Sequence, residues 1–207
     1  MQDKSLYNMN SVGVESVVST NKVLKNTYML LGMTLLFSAV TAGISMAMGL
    51  PQGAALILTL VGFGLLFVVN RMADSSKGLI AIFAFTGVMG ASIGPMLNYY
   101  LAMPGGPALV MQASGGTAMV FFGLSAYALT TRKDFSYMGG FLMVGLLVAV
   151  VAMIANIFLA IPALSLTISA AVVMIMSGLI LFDTSRIING GETNYIRATV
   201  ALYLDIY

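Results

Sequence analysis

The sequence predicts an all-α polytopic membrane protein, a seven-helix bundle whose last helix is short and either central or re-entrant. Three observations carry this. Only 8% of the residues are charged and the mean hydropathy is +0.99, whereas a soluble domain carries about 25% charge. Six apolar stretches are each long enough to cross about 30 Å of hydrocarbon, which takes about 20 helical residues, and they exceed the alternating segments of an outer-membrane barrel. All nine basic residues fall on connections of one side.

Residues Met1 to Lys22 mix Asn, Ser, Val and a few charges without helical periodicity. Such a segment buries too little apolar surface to offset the entropy of ordering, and it reads as a flexible tail ahead of a membrane domain over residues 23–207. It has no apolar core of signal-peptide length, so the first span is expected to act as its own insertion signal. That span runs from about Thr27 to Met48, and the break Gly49-Leu50-Pro51-Gln52-Gly53 turns the chain into a second ending near Val69. Four more follow: Gly78 to about Met103, Pro107 to Thr130, Tyr137 to Ile161 and Ala163 to Phe182. The final segment, Asn194 to Tyr207, is short for a crossing.

Lys4, Lys22 and Lys25 precede span one, Arg71 and Lys77 separate spans two and three, and Arg132 and Lys133 separate four and five. Arg186 and Arg197 follow span six, and the opposite connections carry no basic residue. This positive-inside pattern predicts a cytoplasmic N-terminus. Small residues four apart (Gly87 with Ala91, Ser114 with Ala118, Ser165 with Ser169) predict close helix contacts. Pro95 removes a donor and frees the carbonyl of Ala91, predicting a kink. Asn156 and Gln112 are expected to bond between helices.

The absence of cysteine and histidine excludes disulfide, thiolate and imidazole chemistry and most transition-metal sites. No P-loop is present, no serine has a basic partner in reach, and no nucleic-acid partner is expected. What remains is a pair of carboxylates in apolar sequence, Asp183 and Asp205. Charge at bilayer depth costs several kcal/mol, so such residues mark function by default. Asp183 lies about 30 Å along its helix from Ala163, and Asp205 about 15 Å beyond Tyr195. The two converge if the linker with its Gly190-Gly191 turn folds back into the bundle. On the last helix Asp205, Ala201 and Ala198 form one stripe facing neighbouring helices. Two charges about 4 Å apart at an effective dielectric near 20 repel by about 4 kcal/mol. The pair would then share a proton and titrate as a unit, which makes it a candidate pH sensor or cation gate. As a calcium cage it is incomplete, because calcium takes six to eight oxygens. The alternative is that each aspartate ends a helix or pairs with Arg186, Arg197 or Arg71. An intramembrane aspartyl protease is disfavoured, since Leu181-Phe182 and Tyr203-Leu204 stand where a Gly-x-Gly-Asp type of surround is needed.

The stretches KVLKNTYMLLG, FAFTGVMGASIGPMLNYYL, GGTAMVFFGLSAYALTTRKDFSYMGG, ANIFLAIPAL and ILFDTSRIINGGETNYIRATVALYLDIY resemble the Bax inhibitor-1 (transmembrane Bax inhibitor motif) family. The resemblance is closer to its bacterial YccA branch, described as modulators of the membrane protease FtsH. It implies a seven-helix bundle with a central last helix, an inner-membrane location, no catalysis, and FtsH with its membrane complex as partner. The family's calcium-leak members imply a paired-aspartate pH sensor at Asp183 and Asp205 that passes calcium, with Arg71 as the basic latch. Family members continue past the LYLDIY motif, so the last helix is expected to extend beyond Tyr207. A tail such as Met1 to Lys22 would offer a processive protease an unstructured handle.

Overall fold

The computed structural model describes residues 3–207, with side chains from Ser19 onward. It contains α1 (Asp3–Ala47), α2 (Gln52–Met72), α3 (Gly78–Leu101), α4 (Gly106–Thr131), α5 (Met138–Leu159), α6 (Pro162–Ile188) and α7 (Tyr195–Ile206). No strand occurs among the described residues. Six helices are long and apolar enough to span a membrane, and α7 is the short seventh. The segment expected as a tail is helical from Asp3 and continuous with the first span.

Two boundaries depart from the expectation for physical reasons. The sixth span does not stop before Asp183 but continues through DTSRII to Ile188. A helix ends where its backbone bonds end, and a buried charge that finds a partner does not break them. At the other end Pro162 starts α6, a position where its missing N–H costs nothing.

α3 is the axis of the bundle, packed chiefly against α1 on one side and α2 on the other. The close approach runs along Gly87, Gly90 and Gly94. A Cβ at Gly90 would overlap the Ser38 carbonyl oxygen and Thr41 Oγ1, and one at Gly94 would lie 2.6 Å from Ser45 Cβ. The other small-residue pairs make no such contact, since Ser114, Ala118, Ser165 and Ser169 are exposed. α7 packs on α1, α6 and α3, α4 packs on α6 and α3, and α5 leans mainly on α6. Asn156 Nδ2 donates to Ser165 Oγ at 2.6 Å, tying the α5–α6 hairpin as expected of an interhelical partner.

The carbonyl freed by Pro95 finds a donor, because Ser45 Oγ donates to Ala91 O at 2.7 Å. A little further along α3, Asn98 Nδ2 donates to Met46 O at 3.0 Å. α1 therefore repairs the ladder that the proline interrupts. Ser45→Ala orphans a buried carbonyl, and an apparent stability loss of about 1 kcal/mol is expected in denaturant titration of the detergent-purified protein. An unchanged midpoint would mean that the carbonyl finds another donor.

Candidate functional site

α7 starts where Asn194 caps it: the Asn194 side-chain oxygen accepts from Ile196 N at 2.8 Å and Arg197 N at 3.2 Å. The same side chain donates to Ala73 O at 2.9 Å and Asp74 Oδ1 at 2.8 Å, and Arg197 pairs with Asp74 at 2.6 Å. These bonds lock the start of α7 to the turn between α2 and α3. From that anchor the helix runs into the bundle, burying Ile196, Ala198, Thr199, Val200, Leu202 and Tyr203. An apolar helix with a polar start needs this anchorage, because only its cap holds the entry angle.

Two tyrosines one turn apart then fix α7 against the α1–α3 seam. The Tyr203 hydroxyl lies 2.7 Å from Ser38 Oγ and 3.3 Å from Thr86 O, and Ser38 Oγ itself donates to Thr86 O at 2.7 Å. Tyr207 reaches Ser92 Oγ at 2.6 Å, and the two tyrosine rings stack with centroids 6.1 Å apart. Sequence reasoning passed over these tyrosines. The available signal was their spacing of four on the helix that carries Asp205.

The structure brings Asp183 and Asp205 together. Their carboxyl groups lie beside each other between α6 and α7, close enough to interact directly, and a hydrogen bond between two carboxyl groups needs a proton on one of them. Asp205 Oδ2 is buried without a hydrogen-bond partner. Asp183 also pairs with Arg186 one turn on, at 3.5 Å, and Arg186 reaches Glu192 at 3.9 Å and lies 5.5 Å from the centre of the Phe182 ring. Glu192 is in turn held by Asn194 N, which donates to its Oε1 at 2.9 Å. Arg71 lies exposed at the end of α2 and makes no ion pair with either aspartate among the described residues. The basic group beside the pair is Arg186.

A cavity of about 570 Å³ between α4, α6 and α7 opens onto Asp205, with Gln112, Gly116 and Thr117 on one wall and Met176 and Ser177 on the other. Neither Arg186 nor Glu192 lines it. The cavity is mostly apolar, with Gln112, Thr117, Ser177 and Asp205 as its polar side chains among Val120, Val172, Met176 and Ile180. As a resident calcium site the residues do not fit: no cluster of three acidic side chains occurs among the described residues, and one of the two carboxylates is already engaged by Arg186.

Comparison with known proteins agrees with this architecture. A family model described as "Inhibitor of apoptosis-promoting Bax1" matches residues 20–207. The chain belongs to that family. Within the Bax1-inhibitor family it is 56% identical over 193 residues to the Modulator of FtsH protease YccA of Escherichia coli K12, covering 93% of this chain and 87% of that protein. A second Escherichia coli strain, O6:H1, has a relative called Inner membrane protein YccA at the same identity and coverage. An uncharacterized membrane protein of Vibrio cholerae is 52% identical over 194 residues, with 93% and 87% covered. The chain is a multi-pass membrane protein of the Bax1-inhibitor family.

Proposed function

We propose that the chain is an inner-membrane, non-catalytic regulator that binds the FtsH membrane protease and slows its degradation of membrane substrates. The observation that carries this reading is the 56% identity, over 93% of the chain, to a relative named as a modulator of that protease. The charge distribution supports a cytoplasmic N-terminus, which places Lys22, Lys25, Arg132 and Arg186 on the side where an ATP-driven protease would take hold. FtsH co-reconstituted in proteoliposomes with a membrane substrate should degrade it several-fold more slowly when this chain is present. Asp205→Asn should keep that effect. An unchanged rate with folded protein present would reject the reading.

A second reading has its own observation, the closeness of Asp183 to Asp205, which lines a cavity between α4, α6 and α7. In it the pair gates a cation leak, with calcium as cargo. Loss of the shared proton leaves two like charges whose repulsion, about 4 kcal/mol at 4 Å and a dielectric near 20, is enough to shift a two-state closure. Arg186 supplies the counter-charge beside the pair in place of Arg71. A passing cation would keep part of its water, since the site offers too few oxygens to strip it.

A further inference from the structure

At the basic end of the bundle α1, α4 and α6 leave a cavity of about 410 Å³. Its polar lining comes from the extremes of three spans: Thr20 and Asn21 at the start of Ser19–Ala47, Arg132 just past Gly106–Thr131, and Asn189 just past Pro162–Ile188. The cavity therefore sits where hydrocarbon gives way to water, at the depth of phospholipid phosphates. Its other wall is apolar, formed by Leu24, Leu129 and Ile188, and none of its lining residues is acidic.

Arg132 is the charge in this wall, and its surroundings are fixed. It takes a left-handed backbone, φ 49 and ψ 26, a conformation rare for residues with a side chain. Among the described residues its guanidinium makes no ion pair. Asp134, two residues on, is engaged locally: the Ser136 side chain first, and then Ser136 N, which donates to its Oδ1 at 2.8 Å, hold its carboxyl below the usual carboxylate range. Ser185 ties the opposing walls together. Its Oγ accepts from Phe135 N at 2.9 Å and donates to Lys133 O at 3.1 Å, while Asn189 Nδ2 donates to Ser185 O at 3.0 Å. The loop that carries Arg132 and the helix end that carries Asn189 are thus held in one arrangement before any ligand arrives, which lowers the ordering cost of binding.

The geometry points to a phosphodiester site for a phospholipid. Arg132 presents its planar fork of N–H donors to the phosphate oxygens, and Thr20, Asn21 and Asn189 surround them with hydroxyl and amide groups. Leu24, Leu129 and Ile188 take the first methylenes of an acyl chain. Basic pockets between membrane helices bind headgroups in this way.

Arg132→Gly tests the site without threatening the fold, because glycine fits the left-handed position while removing the cation. The full chain in detergent is titrated with dioleoyl phosphatidylglycerol and examined by native mass spectrometry. Dioleoylglycerol serves as the phosphate-free lipid and inorganic phosphate as the soluble anion. The wild type should retain phosphatidylglycerol over dioleoylglycerol. Arg132→Gly should weaken retention roughly five- to tenfold, the weight of one cation near a membrane surface, with its melting temperature unchanged or raised. Displacement of the lipid by inorganic phosphate would support the same phosphate site with a soluble occupant. Equal retention by wild type and Arg132→Gly, or equal binding of dioleoylglycerol, overturns the proposal.

Discussion

Gly90→Ala should destabilise the bundle by about 2–3 kcal/mol, although alanine is the better helix former by up to about 1 kcal/mol. The sign is decided by what the new methyl meets. Ser38 O and Cα are backbone atoms of α1 and cannot rotate away. α1 must therefore step back from α3, and the bonds that cross this seam, Ser38 to Thr86 and Ser45 to Ala91, lengthen together. Tyr203 loses its anchor in the same movement. Gly115→Ala on α4 is the matched control: its Cβ would meet nothing within 4 Å, so propensity alone acts and stability should hold or rise slightly. Thermal and denaturant unfolding of both variants in detergent would check this. Equal stability for the two would mean that α1 and α3 are not held at the separation described.

Asp205→Asn should flatten the pH response of any cation flux through the protein. Asparagine keeps a donor toward Asp183 but has no proton to lose, so the pair is locked in its hydrogen-bonded arrangement. Calcium flux into proteoliposomes between pH 5.5 and 8 should vary several-fold for the wild type. For Asp205→Asn it should stay at the wild type's acid-side value throughout. Asp183→Asn should differ from it, because that substitution also leaves Arg186 without its 3.5 Å partner. A wild-type flux that exceeds empty liposomes but ignores pH would rule out the pair as sensor. Flux no greater than in empty liposomes would leave the aspartates with a structural role.

The spans were legible because apolar length is read directly from sequence, and the turns were legible because glycine and proline mark them. The end of α6 was not, since an aspartate closing an apolar run looks like a stop. A charge ends a span only if it must reach water, and Asp183 instead meets Asp205 and Arg186. Once α6 is carried through to Ile188, the three-residue spacing of Asp183 and Arg186 places them on one face, so the neighbouring cation was implicit in the helix length. The meeting of Asp183 with Asp205 followed from a fold-back argument. The seam between α1 and α3 was half legible: Gly87 was singled out, but its working partners are Gly90 and Gly94 rather than Ala91. Ser38 and Ser92 gave no signal, because a serine in an apolar helix commonly bonds its own backbone; Ser92 does so here, to Met89 O, yet both serines also meet a tyrosine from the last helical segment.

The tyrosine anchors of α7 also bear on how the protein is made. Ser38, Thr86 and Ser92 line the α1–α3 seam, yet the hydroxyls that face them, Tyr203 and Tyr207, emerge from the ribosome only after all six long helices. For most of synthesis the inserted helices must hold an unfilled polar notch in the bilayer. Insertion of α7 is therefore the step that fills the notch, and a chain arrested before it would leave that notch open between α1 and α3.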